Sequence, residues 1–432
     1  MGKDMTAETG NFDALKQRSF FDVGPKPYGA NPLFSVELLK TLSEGEMTKL
    51  ELERKQLFQL LGVSSVPEIT NLLTDPVKRA ETNTRFIHEL GGSFGIEGST
   101  KEREERITRY AEEADSVIQY LRTSIVPDFN SDIEMVNEVQ ATNNPLDLLL
   151  ITFDKKYNKQ ARFEAKRKLI LMRIAGSIDQ TERELGASDQ FKQFQDFLNN
   201  HVWNTELLIG DSTTAHLISE HDPDTFGCES VVVSQEKPQK ELQPNQKITT
   251  IRRRNFQVDG KIIPIYVTTR EKSPDAKIMK LLRKGGENPA VAVEDGLGLM
   301  GVLDNARDIK LFENHLMASA IKAESPMRLE DIHDSLKSGG GTGTNNESSN
   351  ELRMRKYFVK MGKIRVELML FTNSAYLDYR YKKGVSHQEY EVRRLFDSGV
   401  IGLLFPQDLY ELDYNTMKSK AISSIRSRIE TE

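Results

Sequence analysis

Between residues 34 and 208, apolar residues recur at the three- and four-residue spacing of helices that bury one side. Leu38, Leu39, Leu42, Leu50, Leu57, Leu60 and Leu61 do so across residues 35–61, with Gly45 as a point of interruption. A second helix is predicted over residues 66–73, stopped by Asp75-Pro76. A third covers residues 101–126. Ile107, Tyr110, Ala111, Ala114, Val117, Ile118 and Leu121 form its stripe, Glu102, Glu104, Glu105 and Glu112 lie opposite, and Pro127 ends it. One long helix is expected from Pro145 to Leu185, with Gly186 as its stop, followed by a shorter one over residues 189–208.

The period then changes. Residues 209–247 are rich in Asp, Ser, Thr, Pro and Gln and read as a linker, with one short strand at residues 230–234. Two strand-like runs, 248–258 and 261–269, flank Asp259-Gly260, a two-residue hairpin signal. A helix at 275–283, a Val- and Gly-rich strand with a turn at 290–303, and a helix at 308–322 follow. Residues 339–350 are Gly, Thr, Asn and Ser, a loop composition. Strands at 352–360 and 363–371 and helices at 386–396 and 415–429 complete the chain. The pattern predicts an α+β protein: a polar tail (1–33), an all-α domain (34–208), the linker (209–247), and a mixed-sheet α/β domain (248–432) with helices layered on its sheet.

The bulk composition narrows this only a little. The 432 residues suffice for two or three domains, and 38% of them are apolar, enough for real cores. The formal net charge of −6 gives no general attraction to nucleic acid or anionic membranes. One cysteine, Cys228, builds neither a disulfide framework nor a zinc site. No stretch approaches the ~20 apolar residues of a membrane span, and the first thirty residues lack the apolar core of a signal peptide. A soluble, cytoplasmic protein is the expectation.

Three groups of residues carry candidate chemistry. The first is Arg270-Glu271-Lys272-Ser273-Pro274, followed by Lys280 and Arg283-Lys284. Cations where a strand opens into a helix suit a polyphosphate; a solvated helix face explains the same charges. The second is Glu294-Asp295-Gly296-Leu297-Gly298, at the end of a Val-rich run. A carboxylate there suits Mg²⁺; an Asp-Gly turn is the structural alternative. The third is Arg365 to Thr372, in which Glu367 interrupts an apolar strand. Alternation puts Val366, Leu368 and Leu370 on one side and Arg365, Glu367, Met369 and Phe371 on the other. Burying an unpaired acid is costly, so Glu367 is paired with Arg365 or another cation, exposed, or a ligand.

Together these groups resemble the synthetase domain of the RelA/SpoT family over residues 262–396. That family carries R-x-K-S-P-x-S-x-x-x-K, then D-x-x-G-x-R, then E-x-Q-x-R-T. Arg270, Lys272, Ser273, Pro274 and Lys280 match the first segment in register, Asp295 and Gly298 the second, Glu367 and Thr372 the third. Ala276, Met300, Met369 and Phe371 stand where the family has serine, arginine, glutamine and arginine. The family's guanine-stacking tyrosine, with a histidine four residues on, has no counterpart at residues 351–355. The resemblance implies a nucleotidyltransferase-like fold that moves a pyrophosphoryl group from ATP, with Mg²⁺, to a hydroxyl of a nucleotide or RNA. In the classical family this makes guanosine tetraphosphate in the stringent response. It assigns Arg270, Lys272, Ser273 and Lys280 to the ATP phosphates, Asp295 to Mg²⁺, and Glu367 to a second metal ligand or base.

Other features have plainer readings beside functional ones. His221-Asp222, with His216 nearby, resembles the metal dyad of the hydrolase domain of long RelA/SpoT proteins, but its companion motifs are missing and a loop His-Asp explains it. Arg252-Arg253-Arg254 suits phosphate or RNA, or an edge strand blunted by charge. Residues 339–350 suit a lid or a tolerated insertion, and Trp203 reads as core. Three functions remain open: an active pyrophosphotransferase, a catalytically degenerate nucleotide sensor, or a protein whose helical half docks a protein partner.

Overall fold

The computed structural model describes residues 43–203, 213–238, 242–285, 288–294, 296–336 and 351–431. The expected tail, the 339–350 loop and Asp295 lie outside the described residues. The protein is a mixed α+β chain with one eight-stranded mixed sheet. It divides into two compact units. One comprises Met1–Glu184, Ser273–Ala292 and Ser398–Met417; the other comprises Leu185–Lys272, Val293–Asp397 and Lys418–Glu432.

Every element described in the first unit is helical. Helix Thr100–Tyr120 opens with a capping box between Ser99 and Glu102. Asp75 does not stop the chain's helical run. It ends helix Val66–Thr74 and also caps helix Pro76–Ser93, accepting from the Lys78 backbone N–H. Proline at the first helical position lacks only an N–H that has no partner there anyway, so Asp75-Pro76 starts a helix as readily as it stops one. The long helix expected over 145–185 is two, Pro145–Phe153 and Lys159–Leu185. Local side chains take the backbone between them: Asp154 accepts from Lys156 N, and Asn158 from Ala161 N. Leu61, Ile69, Leu72, Phe86, Leu146 and Leu150 form one core of this unit. Helix Pro274–Arg283, expected with the carboxy-terminal domain, packs instead on helix Thr100–Tyr120 and buries Ile278, Leu281 and Leu282.

Helix Lys159–Leu185 also buries charge. Arg167, 1% exposed, donates to the Leu404 carbonyl at 2.6 Å and lies over the Phe163 and Phe405 rings. Glu164 accepts from Tyr410, Val136 N and Gln160, each at 2.9 Å. Lys168 is held by Asp115 at 2.7 Å and Asn143 at 3.0 Å. Each of these three buried ions thus has charged or dipolar partners, which offset the cost of burial.

The eight strands among the described residues belong to the second unit. They are β1 (Thr213–His221), β2 (Cys228–Ser234), β3 (Gln246–Val258), β4 (Lys261–Glu271), β5 (Leu297–Leu303), β6 (Met327–Asp334), β7 (Arg355–Met361) and β8 (Ile364–Thr372), in the spatial order β2-β1-β3-β4-β5-β8-β7-β6. Every neighbouring pair is antiparallel except β5 with β8. The β3–β4 hairpin turns at Asp259 and Gly260, φ +49° and +76°, the left-handed pair such a two-residue loop requires. The segment read as a linker contributes two strands, β1 and β2. Because β1 pairs with β3, the arginine run is not on an edge: Arg253 is buried and ion-paired to Asp304 at 2.8 Å, while Arg252 and Arg254 are exposed.

The two faces of the sheet differ. One is apolar. Ile263, Ile265, Leu299, Val359, Val366, Leu368 and Leu370 pack there with Phe194 and Phe197 of helix Ala187–Phe197 and Phe312 and Leu316 of helix Ala306–Lys322. Trp203 is core on this side, stacked on Phe312 at 6.0 Å. The other face carries Tyr266, Met300, Val302, Met369 and Phe371, packed against helix Asn373–Tyr381. The alternation anticipated along β8 is the one found.

Candidate functional site

Strand register assembles a row on the second face. Arg270 on β4 lies opposite Gly298 on β5, Gly298 opposite Glu367 on β8, and Glu367 opposite Phe358 on β7. Residues directly opposite one another project to the same side, so Arg270 and Glu367 flank Gly298 with their Cα atoms roughly 10 Å apart, two strand spacings. A Cβ at position 298 would meet only the backbone carbonyls of Glu367 and Arg270, at 3.8 and 3.9 Å. The glycine therefore leaves room for a methyl group, in ordinary contact, between a cation and an acid.

Arg270 is exposed, and its guanidinium makes no hydrogen bond or ion pair with any described residue. Glu367 is 8% exposed, and its Oε1 is ion-paired to Lys356 of β7 at 2.6 Å. Of the expected alternatives for this acid the structure shows pairing, with a lysine rather than Arg365. Arg365 is engaged elsewhere: its guanidinium stacks on Phe358 at 3.6 Å and meets Asp331 at 3.0 Å, Glu330 at 3.7 Å and Glu294 at 3.9 Å.

Tyr379 stands beside this row. Its ring lies tilted against Phe371 at 5.2 Å and stacks with His387 at 5.1 Å, and its phenol feels the charges of both Arg270 and Glu367. Burial pushes that phenol up to about 12, a shift the Arg270 charge opposes and the Glu367 charge adds to. It stays a neutral hydroxyl at physiological pH. A sequence signal for its helix existed in Thr372, whose hydroxyl accepts from Ala375 N as a cap. Lys356 carried no such signal, because its pairing with Glu367 depends on which strand lies beside which.

The Lys272 backbone N–H donates to the Gly296 carbonyl at 2.9 Å, prolonging the β4–β5 ladder. Ser273 and Lys280 belong to the helical unit. Ser273 occupies the N-cap position of helix Pro274–Arg283 without a side-chain cap bond, and Lys280 donates its Nζ to the Val291 carbonyl. Asp295 lies outside the described residues. Among the described residues no three His, Cys, Asp or Glu side chains gather as a metal cluster. Glu367, already neutralised by Lys356, is the single carboxylate of the row. Of the two carboxylates that the resemblance implies for Mg²⁺, the described residues include only Glu367.

The histidine pair has a structural explanation. His221 is fully buried, bonded through Nε2 to Ser219 at 2.8 Å and through Nδ1 to the Phe226 carbonyl at 3.0 Å, and burial holds it below the usual imidazole range. Asp222 caps the turn to Thr225 at 2.7 Å. Burial, with Asp378 nearby, pushes the Cys228 thiol up to about 12, so it is a poor nucleophile. Among the described residues no helix is long and apolar enough to cross a membrane. No protein-family model matches the chain, and no curated protein matches it.

Proposed function

We propose that the sheet-bearing unit is a RelA/SpoT-like nucleotidyltransferase module that takes ATP on the face carrying Arg270, Gly298 and Glu367, while an all-helical amino-terminal region serves as its regulatory or partner-docking half. The observation that carries this reading is the cross-strand row itself: residues distant in the chain, matched to the family on separate segments, share one face with a glycine gap between them. Arg270 binds phosphate oxygens through its guanidinium. An acceptor hydroxyl, of a nucleotide or RNA, attacks the β-phosphorus of ATP. The bond from that phosphorus to the α–β bridging oxygen breaks, AMP leaves, and the hydroxyl proton passes to Glu367. For Glu367 to accept it, Lys356 must let go of the carboxylate and turn to the incoming phosphates. Mg²⁺, through Asp295 and Glu367, belongs to the proposal as the family's cofactor, supplying charge neutralisation of the triphosphate when bound.

One observation favours a second reading, binding without transfer. The Lys356–Glu367 ion pair occupies the would-be base, and Met300, Met369 and Phe371 make the surrounding face apolar where the family is polar. Incubation with ATP labelled on its terminal phosphate, Mg²⁺ and a panel of GDP, GTP and tRNA separates the two. Label transfer to an acceptor, abolished by Glu367→Gln, supports the transferase. ATP binding without transfer supports the sensor. Neither binding nor transfer removes both.

A further inference from the structure

A cleft of about 510 Å³ opens within the helical unit, and Lys155, Tyr157, Lys159, Arg162 and Asp408 are among the residues that line it. Three of its lining side chains are cationic and one is anionic. Asp408 is committed to Lys159 by an ion pair, so the positive charge of Lys155 and Arg162 is left over. The cleft lies at the amino-terminal end of the 27-residue helix Lys159–Leu185, where the first turn presents backbone N–H groups and the positive end of the dipole.

Arg162 makes this more than a helix end. It is only 8% exposed, and its Nε is buried without a hydrogen-bond partner. Its side chain makes no hydrogen bond or ion pair with any described residue. Other buried ions on the same helix contrast with it: Glu164, Arg167 and Lys168 each have two or more polar partners. A buried guanidinium without an acceptor is costly, and here it lines a cavity that already carries excess positive charge.

We propose that this cleft binds a phosphate-bearing small molecule. Arg162 supplies a forked donor, Lys155 supplies a further one, and Lys159 is held by Asp408. Tyr157, itself tied to Glu138, gives one wall an aromatic surface. A volume of this size accommodates a nucleotide as well as a free phosphate. The site is independent of the Arg270–Glu367 row and does not rest on the function assigned to it.

Calorimetric titration of the full chain tests this, with inorganic phosphate and ATP as the two probes. Because ATP also has the sheet face available, its arm is run in Arg270→Gln. Saturable binding of either probe is expected, weakened about tenfold or more by Arg162→Gln, the loss of a charge-assisted fork. Lys155→Gln, at an exposed position that does not bear on folding, weakens it less, by a few fold. Phosphate binding alone identifies a free anion as sufficient, and ATP binding alone identifies a nucleotide; both support the cleft. No binding of either at millimolar concentration overturns it, as does binding that Lys155→Gln and a folded Arg162→Gln both leave unchanged.

Discussion

The two faces of the one sheet do different work, and two glycines on β5 show the difference. Gly301 lies toward the apolar face: a Cβ there would come within 2.7 Å of Leu370 Cδ2 and 3.2 Å of Ile265 Cδ1. Gly298 lies in the Arg270–Glu367 row, where the same atom would meet nothing closer than 3.8 Å. The first glycine is small because the core is full. The second is small beside charges, where a Cβ would make only ordinary contacts, so packing does not require it. A sheet covered by helices on an apolar face gains stability from burial; the other face keeps an exposed cation, a buried acid and an opening between them.

Substitutions that respect this contrast should separate stability from ligand binding. The largest effect is expected for Leu368→Ala on the apolar face, a fully buried side chain, at about 2–5 kcal/mol in urea unfolding. Next is Lys356→Met. Removing the partner of Glu367, 9% exposed in its side chain, should cost about 1–3 kcal/mol, largely restored by adding Glu367→Leu; equal losses in the single and double variants would show that the pair is not what holds the acid. Gly301→Ala should cost about 1–3 kcal/mol through overpacking, whereas Gly298→Ala should stay within about 0.5 kcal/mol.

A smaller effect is expected from pH. The Tyr379 phenol is raised in the folded state from its usual 10 to about 12, so the unfolded chain loses that proton first. The contribution is fully present below pH 10 and is lost as pH rises toward about 12. Phenolate absorbance against pH, compared between the wild type and Tyr379→Phe, measures it. A Tyr379 that titrates near 10 in the folded protein would contradict its burial beside the row.

The apolar face was the legible one. Val366, Leu368 and Leu370 announce their common side by period alone, and Asp259-Gly260 announces its hairpin, because both signals are local. β1 was hidden because its buried positions include His216, Ser219 and His221, polar residues satisfied by neighbours the local sequence does not name. β6 was hidden because Arg328, Glu330, Asp331, His333 and Asp334 fill a strand at the sheet's edge, where charge discourages further pairing. At the candidate site, Arg270 and Glu367 could be singled out by type and spacing. Their common row could not, since it depends on a parallel β5–β8 pairing between distant segments. The same holds for Lys356 and Tyr379, which reach Glu367 only through strand order and helix packing. Asp75-Pro76 failed for another reason: one dipeptide serves equally to end one helix and begin the next.

Equilibrium binding of ATP to Arg162→Gln and to Arg162→Gln/Gly298→Val, a background that silences the helical cleft, with thermal unfolding of both, tests the central claim most directly. A β-branched residue suits a strand but fills the gap between Arg270 and Glu367. Affinity lowered about tenfold or more at an unchanged melting temperature is the predicted result. ATP bound equally well by both proteins would mean that the glycine floor and its flanking charges are not where the nucleotide sits.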